Sequence, residues 1–265
     1  MPEKRPIVFI DTNIWLDAYR ARNDVGLHLV KRLDDVQEHL VSTYQVEMEF
    51  KKHRQTAILE ALSALKPPEM SVSAPAFLSQ SKTVEMIANL AKSTKQRIDG
   101  LRKRIENILA NPVTHDPVYQ VAQRLFTAES ELNLLRSDTR KYGIRRRAWK
   151  RFILGYPPRK NKDTSTGDAI NWEWIVDCVA ATNRDLIIVS RDSDFGCTIG
   201  KSSFPNDWLV QELRERTRKT RKITLTPRLS SALDALKVKV TKKEKQEEAA
   251  SLQERMALLQ ERIQE

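Results

Sequence analysis

Long apolar runs are absent from this 265-residue chain. No stretch approaches the roughly 18 apolar residues that a membrane-spanning helix needs, which argues against an integral membrane protein. The N-terminus, MPEKRPIVFID, is basic, but its apolar run is four residues long. A secretory signal needs an apolar region of about 7–15 residues and a small-residue cleavage site, so a cytoplasmic location is expected. Cysteine is also scarce. Cys178 and Cys197 are the only two, which implies no disulfide framework. Together with four scattered histidines they give no zinc-type spacing. No glycine-rich phosphate loop follows either of the strongly apolar strands, which argues against a Rossmann-like small-molecule enzyme.

What the chain does carry is charge of one sign in surplus. Its formal net charge is +11 and its pI about 9.7. A balance of that size points to a polyanionic partner, nucleic acid being the default, with a merely solubilising surface as the plain alternative. The hydrophobic fraction of 40% is enough to bury a sizeable core.

Residues 7–10, Ile-Val-Phe-Ile, and 186–189, Leu-Ile-Ile-Val, are short, continuously apolar runs bounded by polar turns, the pattern of strands buried on both faces of a parallel sheet. Helices are expected over 25–39, 43–65, 168–181 and 207–216, with further short strands at 40–41 and 223–225. A long helical middle is read over 79–110 and 117–153, broken at Asn111-Pro112. Residues 69–78 and 155–167 read as loops. The division expected is a body over 1–226, with a helical insertion at about 69–153, and a C-terminal helical extension over 227–265. In the extension, Ala249, Leu252, Met256, Leu259 and Ile263 form a short heptad seam. It reads equally as a coiled coil joining copies of the chain and as a terminal helix packed on its own domain.

The two apolar strands share a design: IVFI-DTN and LIIV-SRDSD each end in a turn carrying carboxylates. In an open α/β sheet, ligands bind beyond the carboxyl ends of the strands. Neighbouring strands would therefore bring Asp11 and Asp192 into one crevice, with Asp194 two residues on. Glu49, three after Val46 on the helix from Thr43, and Asp168, at the start of another helix, can join them. Taken singly, Asp168 reads as a helix cap, Asp192 and Asp194 as turn residues, and Glu49 as a solvated helix residue. As a set they would drive each other's pKa upward unless a cation held them. Magnesium or manganese suits an all-oxygen donor set, and metal-activated water hydrolysing a phosphodiester is the reaction that follows.

These residues resemble a known family. IVFIDTNIWLD looks like the opening of PIN-domain nucleases, STYQVEMEF like their second motif, GDAINWEW like their third and LIIVSRDSDF like their fourth, in the family's order. GYPPRKNKDTSTGDAINWE is similar to the DUF4935-type PIN-like variant. The resemblance covers roughly 6–225. It implies an α/β fold, a three-layer α/β/α sandwich with a central parallel sheet, and Mg²⁺- or Mn²⁺-dependent cleavage, commonly of RNA. Asp11, Glu49, Asp168 and Asp192 match its acidic quartet and Asp194 a less constant fifth position. Glu47 competes with Glu49, which is preferred for its spacing from Val46. Asn13 and Ser190 would orient the carboxylates. The insertion departs from the minimal pattern and leaves substrate choice open.

From Arg140 to Lys162 there are ten Lys or Arg residues and no Asp or Glu, with Tyr142, Trp149 and Tyr156 interleaved. Cations for phosphates and rings for unpaired bases make a nucleic-acid track. Arg147, Lys150, Arg151, Arg159 and Lys160, with Arg191 in the fourth motif, are the expected phosphate contacts. For Trp149 a core position is preferred over stacking, and Trp172 and Trp174 are read as packing residues. The run from Arg214 to Lys222 either extends the track or is a solvated helix end. The leading reading is an endoribonuclease, as a toxin or defence effector, with an inhibitory partner left open. Its rivals are a DNA nuclease of the same fold and a non-catalytic nucleic-acid-binding module that oligomerises through its C-terminal helix.

Overall fold

Each of the four residues of strand β1 (Ile7–Ile10) is buried, at 0–4% exposure. Successive side chains of a strand point to opposite faces, so complete burial requires cover on both. A computed structural model supplies that cover. It describes residues 5–21, 23–63, 65, 74–78, 80–158, 165–218 and 220–264, with side chains as far as residue 254. The central sheet has five strands in the order β3 (Asn133–Leu134), β2 (Leu40–Thr43), β1, β4 (Leu186–Val189), β7 (Ile223–Thr226). Every pairing is parallel, with Ile10 opposite Val189 and Ile187 opposite Thr224. Helices flank the sheet, and the architecture is the α/β sandwich with a central parallel sheet expected from the sequence.

Chain order sets the position that matters. From β1 the chain moves outward to β2 and β3, then returns to the other side of β1 for β4 and β7. The strand order therefore reverses between β1 and β4, and it is beyond the carboxyl ends of the strands at such a reversal that open α/β sheets bind their ligands. Asp11 follows β1 directly, and Ser190 to Asp194 follow β4.

Around the sheet run α1 (Thr12–Arg20), α2 (Val25–Lys31), α3 (Tyr44–Ser63), α4 (Lys82–Ala110), α5 (Pro112–His115), α6 (Pro117–Thr127), α7 (Lys141–Leu154), α8 (Gly167–Thr182), α9 (Asp207–Thr217), α10 (Leu229–Ala235) and α11 (Lys242–Gln264). An antiparallel hairpin, β5 (Gly196–Ile199) and β6 (Ser202–Pro205), follows the β4 turn. Gly196 at its start has φ 146°, and a Cβ there would lie 2.1 Å from the Phe204 carbonyl oxygen, so the hairpin closes only on glycine. Charge is also used inside. Arg54 and Asp116, 5% and 1% exposed, pair at 2.7 Å. The Tyr19 hydroxyl donates to the same Asp116 oxygen at 2.8 Å, and Arg54 lies over the rings of Tyr19 and Tyr119. This clamp fixes α1 and α3 to the start of α6.

Several expectations need correction. The segment 117–153 is not one helix. It is α6, then β3, then α7, because Asn133 Nδ2 donates to the carbonyls of Leu125, Phe126 and Ala128 and turns the chain out of α6 into the sheet. Much of the supposed insertion is thus part of the α/β body, and α4, which buries no residue, is what stands apart from it. The helix expected over 25–39 changes to a 3₁₀ helix at Arg32–His39, with Val36 outside helical geometry. The start of α11 packs on its own domain. Glu244 pairs with Arg32 at 2.5 Å, and the Glu248 carboxylate accepts from the Leu229 amide at 2.7 Å. Of the heptad seam, Met256, Leu259 and Ile263 lie outside the described side chains.

Candidate active site

Asp11 is the N-cap of α1, and only 4% of it is exposed. Its extended backbone continues the β1 ladder through a hydrogen bond from its amide to Val189 O, 2.9 Å long. One carboxylate oxygen accepts from the Thr12 amide at 2.6 Å. The other accepts from Asn13 Nδ2 at 2.7 Å and from the Ser190 hydroxyl at 2.5 Å. Ser190 in turn receives the Asp192 amide at 3.0 Å, so the two turns are laced together across the switch point.

Three donors do not offset the cost of burying this group. Its pKa is pushed up to about 6, first by burial and next by the charge of Asp192. Glu49 pushes in the same direction, against the hydrogen bonds from Ser190 and Thr12. Asp11, Asp192 and Glu49 therefore share one electrostatic environment. Glu49 is held there from both sides: Thr12 Oγ1 donates to one oxygen at 3.0 Å and Gln45 Nε2 to the other at 2.7 Å. Helix α8 begins against the same carboxylate. A Cβ on Gly167 would come within 2.4 Å of Glu49 Oε1, and the next residue, half-buried Asp168, lies in the first turn of α8. Asp194 is buried in the turn after β4. That turn is pinned by Phe195, which is 0% exposed and packs on Phe9 with ring centroids 5.9 Å apart.

The donor set suits a hard divalent cation. It consists of carboxylate, hydroxyl and amide oxygens, and Asn13 Oδ1 is buried with no hydrogen-bond partner among the described residues. Among the described residues no group of three or more His, Cys, Asp or Glu side chains is placed to hold a metal ion. Asp192 and Glu49 are the carboxylates whose charge reaches Asp11, and Glu49 is tied to Thr12 and Gln45.

The cations expected to touch phosphate are placed differently. Arg151 is buried and bonds to Glu173, Glu212 and the Pro157 carbonyl. Burial would raise the pKa of Glu173, but Arg216, Arg147 and Arg151 together hold it below the usual range. Arg147 is engaged with Glu173 and Asp177, at 2.8 and 2.6 Å. These pairs fasten α7, α8 and α9 behind the site. Arg191 pairs with Asp17 and donates to the Asn13 carbonyl at 3.0 Å. Burial lowers its pKa to about 10, against the pull of Asp11, Asp192 and Glu248. It braces the β4 turn against α1. Lys150 is exposed, and Arg159 and Lys160 lie outside the described residues. In the second basic run, Arg216 joins the Glu173 network and Arg221 bonds to Asn183.

Trp172 and Trp174 pack inside, at 0% and 3% exposure, but Trp149 is 57% exposed, which overturns its expected core position. The buried stripe of α7 is Ile144, Ala148 and Arg151, and Trp149 sits about 100° round the helix from Ala148. Sequence reasoning missed Thr12, Gln45 and Gly167 as supports of Glu49. Gln45 alone carried a signal, one helical turn before Glu49.

Compared with known families, the chain matches the model of the PIN-like domain over residues 7–195. No curated protein and no solved structure matches it.

Proposed function

Because the chain belongs to the PIN-like domain family, a nuclease fold, we propose that it is a Mg²⁺- or Mn²⁺-dependent endoribonuclease that hydrolyses phosphodiester bonds in the crevice beyond β1 and β4. The observation that carries the reading is Asp11, a buried carboxylate whose pKa is raised by burial and by Asp192 and Glu49. A fold gains nothing from that arrangement unless the crevice holds something positive. Asp11, Glu49, Asp168 and Asp192, with Asp194 behind them, would hold the ion. An ion held there would supply a bound water of lowered pKa and positive charge for the phosphate.

The protein's own part is positioning. Ser190 and Asn13 fix one Asp11 oxygen and the Thr12 amide the other. Thr12 and Gln45 keep Glu49 turned to the same crevice. Arg191 holds the turn that carries Asp192 in register with α1. RNA is preferred as the substrate on the PIN resemblance together with the surplus of +11. Among the described residues no helix is long and apolar enough to cross a membrane.

The test is cleavage of labelled RNA, single-stranded DNA and duplex DNA with Mg²⁺ or Mn²⁺, comparing the wild type with Asp11→Asn and Asp192→Asn. RNA cleavage that needs the metal and is lost in both variants is expected. Cleavage that survives chelation, or that both variants retain, would overturn the proposal. Cleavage confined to DNA would move the substrate and leave the chemistry.

A further inference from the structure

Helix α7 buries one stripe and turns the rest to solvent. Its exposed side carries Arg146 and Lys150, neither bonded to a carboxylate among the described residues. Beside Arg146, three residues on, stands Trp149, stacked on Phe152 with ring centroids 5.8 Å apart and planes 17° from parallel. Past Gly155, whose left-handed φ of 73° ends the helix, Tyr156 meets Trp208 at 4.9 Å between centroids. Tyr156 and Trp208 remain 40% and 42% exposed. Exposed large aromatic surface forgoes burial worth about 1.5–3 kcal/mol for a fully buried ring. Two such pairs, one on α7 and one just past its end, therefore ask for an occupant.

The direction of α7 sets which of its ends lies beside the start of α8. Helix α7 runs antiparallel to α8, since Arg147 reaches Asp177 while Arg151, one turn later, reaches Glu173. The Tyr156 end of α7 therefore lies level with the Asp168 end of α8. Trp208 is tied to the β4 turn: its amide donates to Asn206 Oδ1 at 3.0 Å, and the Asn206 amide donates to Phe195 O at 2.9 Å. Charge decides between occupants. On this face Arg146 and Lys150 are exposed cations with no carboxylate bond among the described residues, and they suit a polyanion better than a second copy of a chain carrying +11.

We propose that Trp149–Phe152 and Tyr156–Trp208 form a stacking platform for unpaired bases, which leads a single-stranded nucleic acid to the carboxylate crevice while Arg146 and Lys150 take its phosphates. The proposal rests on the nuclease reading and narrows it. A duplex hides its base faces, so the platform selects strands, loops or ends that are unpaired.

Binding is measured by fluorescence anisotropy in chelator, where cleavage cannot intervene. The probes are labelled oligonucleotides of about ten residues: oligo-U, oligo-dT, an abasic strand of equal charge, and a blunt duplex. The wild type should prefer the strands bearing bases to the abasic strand and the duplex. Trp149→Ala and Trp208→Ala should each weaken oligo-U binding about ten-fold, leave abasic binding alone, and be rescued by Phe at the same position. Lys150→Ala should weaken the base-bearing and abasic strands equally and lower the salt slope by about one. Phe77→Ala, which removes an exposed ring elsewhere, should bind as the wild type does. Equal affinity for abasic and base-bearing strands overturns the platform, as does wild-type binding by both Trp→Ala variants. A wild-type dimer that Trp149→Ala converts to a monomer gives the face to a second copy and also overturns it. Because Asp11→Asn removes cleavage but not this binding, failure of the platform and failure of the nuclease reading are scored separately.

Discussion

Replacing Asp11 by Asn should inactivate the protein and make it more stable. The carboxyl is raised from 3.8 to about 6 in the folded state. At about 1.36 kcal/mol per pH unit, the ionised group destabilises the metal-free fold by about 3 kcal/mol at neutral pH. The sign follows from linkage. A carboxyl with a raised folded pKa costs nothing below its unfolded value, and its penalty grows as pH rises through about 4 to 6. Asparagine removes the charge and remains a good N-cap, so the bond from the Thr12 amide survives. The new amide faces Asn13 Nδ2 and Ser190, and rotation of the Asn13 side chain would present its unpartnered Oδ1 to it. Allowing about 1 kcal/mol for imperfect hydrogen bonds, Asp11→Asn should gain about 2 kcal/mol, or roughly 4–8 °C in Tm. The assay is thermal melting in chelator at about pH 7.5 and again at about pH 4, where the gap should close because the wild-type carboxyl is protonated as well. Mn²⁺ should raise the melting temperature of the wild type but not of the variant. A variant no more stable than the wild type at neutral pH, or a gap that persists in acid, would refute the electrostatic account.

Other changes separate scaffold from site. Arg151→Ala leaves buried Glu173 short of a partner and should cost about 3–5 kcal/mol. Denaturant titration should show that loss while the folded variant keeps its affinity for RNA; normal stability with lost affinity would put Arg151 on the substrate after all. Phe195→Ala should cost about 3–5 kcal/mol and loosen the turn that carries Asp192, seen as lower stability and slower cleavage together. Gly167→Ala should shift melting by no more than about 1 kcal/mol, since the residue is helical. Its methyl group would press on Glu49, however, and cleavage should fall on the order of 100-fold. Wild-type rates from that variant would remove Glu49 from the working site.

The sheet was readable because its central strands have no polar face to hide. IVFI and LIIV are four-residue runs rich in β-branched residues and bounded by polar turns, the pattern of two-sided strands, and a turn with carboxylates after each points to the strand ends. The crevice could be anticipated once those strands were taken as neighbours, which the parallel register of Ile10 with Val189 supplies. Strand β3 was not readable. It is two residues long and lacks a β pattern, and it exists because Asn133 caps α6 across the turn. The basic helix misled for a related reason. A run of cations along a sequence does not say which of them meet carboxylates from other elements. Glu173, Asp177 and Glu212 come from 22 to 61 positions away to claim Arg147 and Arg151. The same rotation of α7 that buries Arg151 turns Trp149 outward. Neither follows from local pattern, because the stripe of α7 facing α8 contains an arginine where a hydrophobic residue would have announced it.

The most direct measurement is anomalous diffraction from crystals soaked in Mn²⁺. The account predicts a manganese peak bonded to the Asp11 carboxylate, with Asp192 on the same ion. It predicts no peak there in Asp11→Asn. Manganese bound elsewhere, with Asp11 and Asp192 left without it at saturating concentration, would contradict the proposal that these carboxylates hold the metal.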